Sequence, residues 1–156
     1  MKRIFLAAVL LVGLTGCEAG EDNGNAGNNE PVDVTDLTLC DGQSPRTIEG
    51  MWQIRQKMGE LKLQSTMVIE KNRTTVSNQC RMKGKTLTVQ ASTSSRYNGL
   101  ALEIMGNAFD RKSNNEPQAQ FDCEVEMNRG NFNYHFSGRC LVLETNGKSV
   151  TLVPSF

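Results

Sequence analysis

From residue 50 onward, apolar and polar residues alternate with a period of two. The pattern is clearest in Leu87-Thr88-Val89-Gln90-Ala91, Leu100-Ala101-Leu102-Glu103-Ile104, Phe121-Asp122-Cys123-Glu124-Val125-Glu126-Met127 and Phe132-Asn133-Tyr134-His135-Phe136. A shorter form occurs in Leu61-Lys62-Leu63 and Met67-Val68-Ile69. Successive side chains of a strand point to opposite faces, so this period predicts strands with one buried face. Turn-forming residues separate the runs: Met58-Gly59-Glu60, Lys71-Asn72-Arg73, Lys83-Gly84-Lys85, Tyr97-Asn98-Gly99, Asn128-Arg129-Gly130 and Asn146-Gly147. The last is the strongest hairpin signal, because Asn-Gly supplies the two positive φ angles of a type I′ turn. It joins 139–145 to 148–154. Eight or nine strands at eight- to twelve-residue spacing predict an all-β domain, a small antiparallel up-and-down β-barrel with a β-sandwich as the alternative. A hairpin about Arg129-Gly130 would pair 121–127 with 131–136, and 107–118 reads as a polar loop.

The same alternation sorts the side chains. Trp52, Ile54, Leu61, Leu63, Met67, Ile69, Leu87, Val89, Leu102, Ile104, Val125, Met127, Phe132, Tyr134 and Phe136 are expected to face inward. Within 121–127, Asp122, Glu124 and Glu126 share the face opposite Phe121, Cys123, Val125 and Met127. Carboxylates two residues apart on one strand lie ~7 Å apart and diverge, so a solvated outer face is favoured over a cation site. His135, the only histidine, is expected to point outward.

The chain before this domain differs in kind. Lys2 and Arg3 precede an apolar run, residues 4–14, that ends in Leu14-Thr15-Gly16-Cys17. A basic n-region, a short apolar core and a small residue make a secretory signal. The run extends about 16 Å as a helix, well short of the ~30 Å hydrocarbon core. Leu14-Thr15-Gly16-Cys17 resembles the lipobox of bacterial lipoproteins. That resemblance implies a signal peptide over 1–16, and a diacylglycerol thioether and an acylated amine on Cys17. It implies a protein held on a membrane of the bacterial envelope by lipid. In a Gram-negative cell the outer membrane is expected, since Glu18 stands where an aspartate would resemble an inner-membrane retention signal.

Residues 17–36 contain six acids (Glu18, Glu21, Asp22, Glu30, Asp33 and Asp36), no base and few apolar residues. Such a composition cannot offset the entropy of ordering and predicts a flexible tether. The domain is then 37–156, enough chain for one core. It carries fifteen bases against eleven acids, a net of +4. The bases are spread along the strands rather than clustered, so nucleic acid is not an expected partner.

Cys40, Cys80, Cys123 and Cys140 remain after Cys17, an even number that predicts two disulfides in an exported domain. Three pairings are open. In the hairpin about Arg129-Gly130, Cys123 faces Phe136 and Cys140 lies farther along. Cys40 and Cys80 are therefore each expected to pair in the C-terminal half. No Cys-x-x-Cys pair, nucleophile elbow or phosphate-binding glycine loop is present, so neither catalysis nor a metal or other cofactor is expected.

Gly50-Met51-Trp52 at the start of the first strand resembles the Gly-x-Trp signature of lipocalins. The resemblance implies a barrel closed at one end by the indole, with a base from a late strand over it, Arg139 or Lys148. It also implies a small apolar ligand inside, lined here by Trp52, Leu102, Ile104, Phe132, Tyr134 and Phe136. Residues 91–97, Ala91-Ser92-Thr93-Ser94-Ser95-Arg96-Tyr97, resemble the inhibitory loop of periplasmic lysozyme inhibitors, which implies instead a module that binds an envelope protein. A purely structural envelope component is the third reading. A carrier requires an apolar cavity on the order of 300 Å³, whereas an interaction module is packed solid.

Overall fold

The computed structural model describes residues 31–156. The expected signal peptide, Cys17 and most of the expected tether lie outside the described residues. Eleven strands follow: β1 (Val32–Asp33), β2 (Gly50–Met58), β3 (Leu61–Glu70), β4 (Arg73–Met82), β5 (Lys85–Tyr97), β6 (Ala101–Ile104), β7 (Ala108–Asn114), β8 (Phe121–Met127), β9 (Gly130–Ser137), β10 (Cys140–Thr145) and β11 (Lys148–Pro154). Eight of them close an antiparallel barrel in the order β2-β11-β10-β9-β6-β5-β4-β3, with β3 returning to β2.

The alternation of the sequence is the alternation of burial. In β3, Leu61, Leu63, Ser65, Met67 and Ile69 are buried, and Lys62 and Glu70 are exposed. In β4, Thr74, Val76, Asn78 and Cys80 turn inward. Each large apolar side chain so removed from water contributes about 1.5–3 kcal/mol. The Asn146-Gly147 hairpin forms as expected, with positive φ at both residues (50° and 75°). Lys83-Gly84 makes the same kind of turn between β4 and β5 (47° and 77°).

Three expectations are corrected. The tether expected over 17–36 does not include residues 32–34: Val32 and Asp33 pair with Lys57 and Gln56, and the Val34 amide donates to the Arg55 carbonyl at 2.9 Å. β11 covers that edge of β2 only opposite Trp52 and Gln53. The backbone groups beyond need partners, and residues 32–34 supply them. Secondly, the expected loop 107–118 contains β7, a strand without apolar alternation that pairs with β8 along its length. Its polar side chains serve the free edge of β5: Asp110 accepts from the Gln90 amide at 2.9 Å, and Lys112 donates to the Thr88 carbonyl at 2.7 Å. Thirdly, the expected hairpin of 121–127 with 131–136 is absent, for β9 pairs with β6 and β10. The apolar face of β8 is buried against inward residues of β4 instead, where Cys123 bonds Cys80 and the Asn78 amide donates to the Glu124 carbonyl at 2.6 Å. Ser65 in turn donates to Asn78 at 2.7 Å, so this polar pair in the core is satisfied.

The β7–β8 ribbon thus covers one end of the barrel. The other end is covered by residues 37–49. A short 3₁₀ turn, Leu37–Cys40, leads to the Cys40–Cys140 disulfide, and the Arg139 amide donates to the Cys40 carbonyl at 2.7 Å. Gly138 allows this approach: its φ is +55°, and a methyl group there would overlap the Cys40 carbonyl oxygen. Ile48 is fully buried, and the Trp52 indole donates to its carbonyl at 2.9 Å. Both disulfides link Cys40 and Cys80 to the C-terminal half, as expected.

Candidate functional site

The six residues expected to line a ligand cavity lie in two groups. Leu102 and Ile104 on β6 are fully buried, and Leu102 sits directly opposite Phe132, which is 5% exposed. Near the Ile48 end, the rings of Trp52 and Phe136 are 6.1 Å apart and those of Phe136 and Tyr134 6.0 Å apart. The Tyr134 hydroxyl donates to the Asn98 carbonyl, and burial raises its pKa. The Tyr97 hydroxyl donates to the Glu49 carboxylate, and its pKa is raised chiefly by that bond. These side chains pack on one another and on Met67, Ile69, Leu141 and Leu152 in a single core cluster. Arg139, a candidate to cover the indole, has its guanidinium 4.8 Å from the Phe156 ring centre.

Residues 91–97 belong to the long strand β5 and not to a loop. Ser92 and Ser95 bond the Thr75 and Thr74 hydroxyls, each at 2.7 Å, so this hydroxyl-rich stretch is committed to strand pairing. On β8, Asp122 pairs with Arg111. Glu124, opposite Arg111, has its pKa raised by burial, against the opposing pull of that guanidinium. His135 is exposed, 3.9 Å from Glu144.

Two depressions lie over the cationic strands on the outside. One of about 600 Å³ runs across β2, β3 and β4 and is lined by Val34, Arg55, Lys57, Lys62, Gln64, Gln79 and Arg81, among others. Register explains it. Lys57 stands directly opposite Lys62, and Lys62 directly opposite Arg81, so three cations form one row across three strands. Arg55, Gln64 and Gln79 form the next row. Like charges directly opposite one another destabilise a sheet. Among the described residues none of these four cations has a carboxylate within ion-pair distance. A second depression, about 390 Å³, shares Lys57, Lys62 and Arg81 and continues to Lys83, which pairs with Glu60 at 3.4 Å. Asp36 lies near Arg55; its carboxylate is held below the usual range first by hydrogen bonds from Thr38 and lastly by the Arg55 charge. Sequence reasoning missed this cluster, because the bases are scattered along the chain and only strand register aligns them.

Among the described residues no helix is long and apolar enough to cross a membrane. No family model matches the chain, and neither a curated protein nor a solved structure matches it.

Proposed function

We propose that the protein is a lipid-anchored module of the bacterial envelope that binds at its outer surface, without catalysis. The observation that carries the surface reading is the filled interior. Trp52, Leu102, Ile104 and Phe132, which would face a carried ligand, are buried in one packed cluster, and each end of the barrel is crossed by a disulfide-linked segment. A packed barrel offers partners only its outside. The anchor rests on the resemblance of Leu14-Thr15-Gly16-Cys17 to a lipobox, and the two disulfides fit an oxidising envelope compartment.

Native mass spectrometry on the full-length protein released from membranes tests both parts. The expected mass is that of a chain beginning at Cys17, with two oxidised pairs and acyl additions, and no further molecule bound. An apolar molecule bound one to one, and lost on Leu102→Asp, would return the interior to the carrier reading. An unmodified Cys17 would remove the anchor.

A further inference from the structure

We infer that the Lys57–Lys62–Arg81 row, with Arg55, docks on the anionic phospholipid headgroups of the membrane that holds the chain. This rests on Cys17 as the anchor. Four exposed cations gathered without carboxylate partners among the described residues cost stability in the free domain, and an anionic surface removes that cost. The place where the chain enters the domain selects a membrane over an acidic polypeptide. β1 runs antiparallel beside β2 with Val32 opposite Lys57, so the preceding chain leaves the domain next to this row. Only thirteen residues separate Cys17 from Pro31, a span of at most about 50 Å. The anchor is therefore attached on the side of the domain that carries this row.

The edge has the chemistry of the headgroup boundary. Val32 and Val34 are 59% and 51% exposed beside the cations, and apolar side chains ringed by Lys and Arg suit the zone where headgroups meet acyl chains. Gln79 adds an amide donor for phosphate oxygens, beside Gln64, whose amide donates to the Gln53 side-chain oxygen at 3.4 Å. Nearby acids among the described residues are engaged locally: Asp33 accepts from the Thr35 amide, Asp36 from the Thr38 amide and hydroxyl, and Glu60 pairs with Lys83. The contact is electrostatic, so it is confined to within about a Debye length of the surface, ~8 Å at physiological salt.

The test uses the lipidated full-length protein in nanodiscs of phosphatidylcholine alone or mixed with phosphatidylglycerol, and reads lysine acetylation rates by mass spectrometry. Lys57 and Lys62 are expected to react about fivefold more slowly, or less still, on the anionic discs. Lys71, in the turn at the other end of β3, should keep its rate, and high salt should abolish the difference. Equal rates on the two discs would overturn the proposal. Slow labelling confined to whole cells would also overturn it and hand the row to an acidic protein. Inorganic phosphate that slows the same lysines equally on neutral discs would overturn it in favour of a small-anion pocket. A protein whose intact mass lacks acyl groups would instead remove the anchor reading on which the proposal stands.

Discussion

The two ends of the barrel are closed by different means. At one end the β7–β8 ribbon has its own ladder of seven register pairs. Asn78, Asp110 and Lys112 tie it to β4 and β5, and the Cys80–Cys123 bond is added to that set. At the other end residues 37–49 run as irregular chain after the 3₁₀ turn Leu37–Cys40, held by Cys40–Cys140, the buried Ile48 and a few separate hydrogen bonds. A paired ribbon satisfies its own backbone and needs only docking; an irregular segment must be held point by point. The covalent bond is thus an addition at the first end and the principal fastening at the second.

Removing each bond separates the two cases and has the largest effects. Cys40 and Cys140 are 100 residues apart, and chain entropy assigns such a cross-link about 4.7 kcal/mol. The 43-residue Cys80–Cys123 link is assigned about 4 kcal/mol. Urea unfolding of Cys40→Ala/Cys140→Ala and of Cys80→Ala/Cys123→Ala should follow that order. Hydrogen exchange should show 37–49 unprotected in the first variant and β7–β8 still protected in the second. Equal loss of protection at both ends would erase the distinction.

Smaller changes probe each fastening without touching a cysteine. Gly138→Ala forces a left-handed backbone on alanine and drives its methyl into the Cys40 carbonyl. A loss of about 1–3 kcal/mol is expected in urea unfolding, with exchange rising first at 37–49. Asn78→Ala leaves the Glu124 carbonyl and the Ser65 hydroxyl without their partner. It should cost about 1–3 kcal/mol and release the ribbon end, by the same two readouts.

The smallest effect is one of pH. Burial raises the pKa of Glu124 above 4.5, so the folded state holds its proton more tightly than the unfolded chain. The group's contribution is fully present below the unfolded value and is lost as pH rises through the folded one. Glu124→Gln should therefore raise the urea midpoint slightly at pH 7 and give no gain near pH 4. A larger gain at pH 4 would reverse the sign.

What could be read in the sequence was what repeats locally. Alternation over 121–127 and 132–136 marked strands and their buried faces, and Asn146-Gly147 marked a turn, because each depends on neighbours along the chain. β7 was invisible because Ala108-Phe109-Asp110-Arg111-Lys112-Ser113-Asn114 has no apolar face of its own; pairing with β8 and the needs of the β5 edge make it a strand. Ile48 gave no signal for its place over the barrel end, since a single apolar residue in a polar stretch has no period. The cationic row depends on three registers at once, and those registers exist only when β2, β3 and β4 are aligned by their turns.

The disulfides are nested, with Cys80–Cys123 enclosed between Cys40 and Cys140. Of the four disulfide cysteines, a chain that emerges N-terminus first presents Cys40 and then Cys80, and these belong to different bonds. Oxidation in order of appearance therefore makes a wrong link, which a later thiolate must break by exchange before the native pairs can form. The earliest native pair cannot form until residue 123 has emerged, and the other waits for residue 140. Maturation of the native pairs is accordingly a task for exchange as well as oxidation, and oxidation without exchange would trap Cys40 with Cys80.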